Sequence, residues 1–170
     1  MPLEQLIWDG QSATRNDPHT YAAPDGADWQ KITSQVQATQ RAVAESAGAF
    51  TLMTGQNMLA GQPFYVFNNR IWPAQANDET HADACGFVFV DAPTGSEAVC
   101  GSSGQVTRED WSAVALTEKL SLGATYFLHP TIAGLITTEP PSLPGEFVVQ
   151  LGKALTPETL DIRIESPIGL

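Results

Sequence analysis

His81, Asp83 and Cys85 carry imidazole, carboxylate and thiol groups at alternating positions, so an extended backbone places all three on one face. Zinc sites use such groups, but no second cluster stands at a matching spacing. Asp78, Glu79 and Asp91 offer the oxygens that calcium takes, yet nothing around them follows an ordered calcium loop. Both groups read as solvated loop, and no metal is expected. Ser102 and Ser103, between Gly101 and Gly104, are hydroxyls with glycine beside them. A nucleophilic serine needs a G-x-S-x-G elbow or an aligned base. The elbow is missing, and the candidate bases are only His19, His81 and His129, of which His129 precedes Pro130 and reads as a turn residue. Glu109, Asp110 and Glu118 could supply the carboxylate pair of a glycosidase, but any acidic protein offers such pairs. Glycine loops of the phosphate-cradling kind are absent. The expectation is a protein that is not an enzyme and has no cofactor. Tyr65, Trp72 and Tyr126 could stack on sugar, against the commoner fate of strand aromatics, which is the core.

The elements that must hold these groups follow from composition and pattern. A chain of 170 residues accommodates one domain, or one domain with an appendage. Low charge content (16%) with 14 glycines and 12 prolines fits short strands joined by tight corners better than a helical bundle. With 19 acidic against 8 basic side chains the net charge is −11, and there is no basic cluster to release counterions. Binding to nucleic acid through phosphates and docking on an anionic membrane are therefore not expected. Nothing approaches the roughly 20 apolar residues of a membrane span, and the first residues lack the basic start and apolar core of a secretory signal. Synthesis and folding in a cytoplasm are expected, with Cys85 and Cys100 reduced and buried; a bridge across the hairpin they flank is the alternative.

Along the chain, residues 1–27 show little periodicity, with one apolar patch at Leu3, Leu6, Ile7 and Trp8. This patch either packs back on its own domain or anchors another protein. Residues 28–50 hold one helix, from Asp28 to about Ala47, with Asp25 or Asp28 as N-cap and Gly48 as its stop. Trp29, Ile32, Val36, Thr39 and Val43 make a single helical stripe. The stripe must be buried, either against the β domain or in a short parallel bundle of more than two copies.

Residues 51–170 read as an all-β domain of about seven to ten short strands, an antiparallel sandwich or barrel. Gly61-Gln62-Pro63 opens the strand PFYVFN, with a turn at Asn68-Asn69 and a return strand RIW. Residues 73–83 form an acidic loop, GFVFVD is a buried strand, and EAVC returns after a turn at Pro93-Thr94-Gly95. The glycines at 101 and 104 break the chain before a strand around Val106. Residues 108–120 fit either a helical turn or a bulged strand around a core Trp111. Then come TYFLH, GLITT and GEFVVQLG, and a last strand whose Leu160, Ile162 and Ile164 face opposite to Asp161, Arg163 and Glu165. The closing PIGL reads as tied into the sheet. The fold class is mainly β: an extended N-terminal segment and one α-helix, then the β domain.

The order GQPFYVF, GFVFVDAPTGSEAVC, GQVTREDW and then Leu120 to Leu170 resembles a module of the structural proteins of tailed bacteriophages. Tail fibres, head fibres and capsid decoration proteins carry it. The likeness covers about residues 60–170, most visibly Leu122–Leu128, Gly134–Thr138, Pro144-Gly145, Val149–Leu155 and the Pro167-Ile168 ending. The pattern has no catalytic residues to transfer. It implies a homotrimeric virion protein, made in the cytoplasm of a bacterial host and displayed on the capsid surface. On this reading Leu3, Leu6, Ile7 and Trp8 anchor it to the major capsid protein or another virion protein. Trp29, Ile32, Val36, Thr39 and Val43 form a coiled-coil stalk, and the β domain projects, stabilising the shell or adhering to a host-surface glycan. A single β module on a chain short for a tail fibre favours the head. A tail-fibre or baseplate receptor-binding component is the alternative, and a polysaccharide-degrading enzyme the weaker one.

Overall fold

A computed structural model describes residues 48–170. The anchor patch Leu3 to Trp8, His19 and the stripe Trp29 to Val43 lie outside the described residues. Gly48 is at φ +77°, the conformation that suits a helix stop.

The chain first builds a closed five-stranded barrel. Its strands are β1 (Phe50–Thr54), β2 (Pro63–Phe67), β3 (Arg70–Pro73), β4 (Gly86–Val88) and β5 (Glu97–Gly101), in the order β1-β3-β2-β4-β5. Asn68 and Asn69, at φ 50° and 58°, give the β2–β3 hairpin the left-handed pair that matches strand twist. That turn fixes the register: Tyr65 stands opposite Trp72 and Phe67 opposite Arg70. The alternation turns Phe64 and Ile71 into the barrel, where they pack with Met58, Val88, Ala98 and Cys100. The buried Thr54 fastens one end, its hydroxyl donating to Pro93 O at 2.5 Å and accepting from Ser96 N at 3.2 Å.

One expectation needs correction here. The barrel is not wholly antiparallel, because β1 and β3 run parallel, with Met53 beside Arg70. The connection between them contains β2, which supplies the length a parallel pairing requires. Phe50 belongs to β1, and its ring meets Phe64 edge-on at 6.4 Å.

A single residue, Ser102, separates β5 from β6 (Ser103–Thr107), and there the chain leaves the barrel for a second sheet. The other strands are β7 (Thr125–Leu128), β8 (Ile136–Thr137), β10 (Gln150–Ala154) and β11 (Thr159–Arg163), in the antiparallel order β6-β11-β10-β7-β8. A ribbon of β9 (Phe147–Val148) and β12 (Ile168–Gly169) ties in the final residues, as the PIGL ending suggests. With twelve strands described, the count exceeds the expected seven to ten: GEFVVQLG, read as one strand, divides between the ribbon and the second sheet.

The main core lies between this sheet and the outer wall of the barrel. Phe87 reaches it from the barrel, and Val106, Leu128, Leu151 and Leu160 from the sheet. Trp111 is fully buried there, its indole N–H donating to Glu158 O at 3.0 Å. The 108–120 segment resolves as a helical turn, α2 (Ser112–Ala115). A further turn, α1 (Glu79–Ala82), occupies the acidic stretch that reads as loop. Asp78 causes it, its Oδ1 accepting from Thr80 N at 2.9 Å and His81 N at 3.0 Å.

Candidate functional site

The α1 turn removes the alternation on which the metal reading of His81, Asp83 and Cys85 depends. His81 lies inside the helix, with its Nδ1 bound to Asp78 Oδ2 and its ring against Tyr65 at 4.9 Å. Cys85 Sγ instead donates to Asp83 O at 3.3 Å. Burial first, and then Asp83, raise the Cys85 pKa, which keeps it a thiol rather than a thiolate ligand or nucleophile. Asp91 is engaged elsewhere, accepting from Ala60 N at 2.7 Å. Among the described residues no three His, Cys, Asp or Glu groups converge on one point.

The two cysteines do not face each other. Cys100 pairs with Val88, three residues along from Cys85, or about 10 Å at strand spacing and beyond disulfide reach. Both are free thiols, and burial pushes Cys100 up to about 12.

His129 is a turn residue, as its Pro130 neighbour suggests. Its Nδ1 accepts from Thr131 N and Ile132 N, both at 3.1 Å. The carboxylates Glu109, Asp110 and Glu118 do come together, lining an open hollow of about 630 Å³ with Lys119 and Glu158. Asp110 is held below its usual range, chiefly by the Ser112 hydroxyl and then by the Ser112 N–H. Lys119 bonds Glu158 at 2.6 Å and lowers it likewise. A glycosidase acid needs the opposite shift, a carboxyl kept protonated by its surroundings. Neither of these two has it. Among the described residues no buried side-chain nitrogen or oxygen lacks a hydrogen-bond partner.

No protein-family model matches the chain, and no curated protein matches it. Its own geometry carries the functional reading.

The three aromatics named as sugar platforms separate cleanly. Tyr126 is core, its hydroxyl accepting from Ser121 N at 2.9 Å. Tyr65 is half-buried, wedged between the main core and His81, and its pKa is raised by burial and by Asp78. Trp72 lies on the barrel's outer wall, partly exposed, its Nε1–H donating to Phe67 O at 3.3 Å. Gly55 makes room for the indole. A Cβ there would stand 2.2 Å from Cε2, 2.4 Å from Cζ2 and 2.6 Å from Cδ2. Those distances describe a point above the ring plane, so one indole face rests on Gly55 and the other is turned away.

On the same wall are Phe67, half exposed, Arg70, and Met53 on β1. Sequence reading missed all three. The signal was available in the Asn68-Asn69 turn, because a two-residue loop fixes Phe67 opposite Arg70 and Tyr65 opposite Trp72.

Proposed function

We propose that the protein is a non-enzymatic structural component of a tailed-phage particle, homotrimeric and displayed on the capsid exterior as a head fibre or decoration protein. One observation carries the non-enzymatic part: the ionisable groups with chemical potential are spent on the backbone. Asp78 caps α1, Asp91 holds Ala60, and His129 closes a turn. Large apolar side chains stand outside instead, with Leu122 71% exposed, Leu116 64%, Leu143 62% and Ile168 62%. The resemblance of residues 60–170 to virion modules supplies the particle, and residues 1–50 the attachment and trimerisation.

Labelling purified particles with an antibody against this chain, viewed by electron microscopy, tests the reading. Label spread over the heads is expected. Label confined to the tail would replace it with the receptor-binding alternative, which the exposed Trp72 and Phe67 favour. Unlabelled particles, with the protein monomeric in solution, would overturn both.

A further inference from the structure

Trp72 is held in place on the outer wall of the barrel. The indole is fixed at both ends, by its bond to Phe67 O and by the seat on Gly55. Phe67 stands 50% exposed at the next outward position across the hairpin. Between Phe67 and Met53 sits Arg70, its Nη1 donating to Thr54 O at 3.1 Å.

Among the described residues Arg70 is a cation that no ion pair engages. Lys119 and Arg163 each pair with a carboxylate, at 2.6 and 2.7 Å. Arg108 and Lys153, like Arg70, are in no ion pair among the described residues, but Arg108 spends its guanidinium on Asp110 O and Ala60 O. Among the described residues Arg70 has no carboxylate within ion-pair distance. A guanidinium fixed through one nitrogen presents its remaining N–H groups in the planar fork that fits a carboxylate. The partly exposed indole and the half-exposed phenyl ring stand on the same face of the hairpin as Arg70. An aromatic ring offers its face to the C–H side of a pyranose.

We propose that this wall binds saccharides bearing a carboxylate, with Trp72 and Phe67 stacking on the sugar rings and Arg70 taking the carboxylate. The site deepens the adhesive half of the reading above and rests on it. Location on a particle is a separate matter. A chain found on heads that ignores acidic sugar keeps its place and loses this site, and the converse outcome keeps the site.

The test is calorimetric titration of the full-length protein with trigalacturonate, with maltotriose as the neutral control and a glutamate-rich peptide as the protein-like control. Trigalacturonate is expected to bind in the micromolar to low-millimolar range, at least about tenfold more tightly than either control. Arg70→Gln should remove that preference, and Phe67→Ala and Trp72→Ala should each weaken binding about tenfold or more. Arg70 and Phe67 are exposed, so their variants keep the test valid if Trp72→Ala unfolds the protein. No binding at about 10 mM, equal binding of maltotriose or peptide, or trigalacturonate binding unchanged in Arg70→Gln and Phe67→Ala overturns the proposal.

Discussion

Replacing Gly152 by alanine tests the packing of the second sheet at its tightest point. A Cβ at 152 would stand 2.1 Å from Asp161 O, with Asp161 C at 3.1 Å and Arg163 N at 3.4 Å. A carbon in contact with a carbonyl oxygen stands about 3.3 Å away, so β10 and β11 must part by roughly 1 Å. The obstacle is backbone and cannot swing aside. The pairs at stake are Gly152 with Ile162, Lys153 with Asp161 and Ala154 with Leu160. Weakening two or three ladder hydrogen bonds costs about 1 kcal/mol each, and loosening the buried Leu151 and Leu160 adds to it. The total comes to roughly 3–5 kcal/mol, or a melting temperature lower by about 10–20 °C. Gly123 is the control. It sits at φ +75° with nothing within 4 Å of an added Cβ, so alanine there meets only backbone strain, about 1 kcal/mol. Urea and thermal unfolding of the full chain and both variants measure the difference, with the urea slope checked for constancy. If Gly152→Ala costs no more than Gly123→Ala, the close approach of β10 and β11 is not what requires glycine at 152.

Two further outcomes follow from single residues. Leu116 ends α2 at φ 58° with 64% of its surface exposed, so Leu116→Gly relieves a left-handed leucine while giving up little packing. A gain of about 0.5–1 kcal/mol in urea unfolding is expected, and a loss would mean that the leucine is packed in solution. Cys100 lies in the barrel interior, and burial lifts its thiol to about 12 from 9.0. The native state thus favours the protonated form. Its contribution to stability is complete below pH 9.0 and is lost as the pH rises from there toward about 12. Iodoacetamide at pH 8 should leave Cys100 unmodified until the barrel unfolds, while half-buried Cys85 reacts slowly. Rapid labelling of Cys100 in the native protein, read by peptide mass, would contradict a closed barrel.

Much of the fold is legible where turn chemistry and alternation agree. The Asn68-Asn69 turn, the Pro93 to Gly95 corner and the alternation of Leu160, Ile162 and Ile164 each specify local structure by themselves. The helical turns were harder to read. With four residues apiece, they show no periodicity, and only the Asp78 cap could have announced α1. The parallel pairing of β1 with β3 is not encoded in either strand. It arises because closing the barrel brings β1 between β3 and β5, a demand of topology rather than of pattern.

The same distinction decides which aromatics can meet a ligand. Tyr126 and Trp72 both stand in short strands beside apolar neighbours, and nothing local separates them. In β7 the strand lies between β10 and β8 with one face on the main core, and Tyr126 is on that face. In β3 the inward position belongs to Ile71, so Trp72 must face out of the barrel. Whether an outward residue becomes core or surface then depends on which part of the wall the second sheet covers. Phe87 and half of Tyr65 fall under it, whereas Trp72, Phe67 and Arg70 do not. That coverage follows from where the chain leaves the barrel, at Ser102, some thirty residues after Trp72. The wall that the second sheet leaves uncovered, with Trp72 seated on Gly55 and Phe67 and Arg70 beside it, is therefore where ligand contact should be sought.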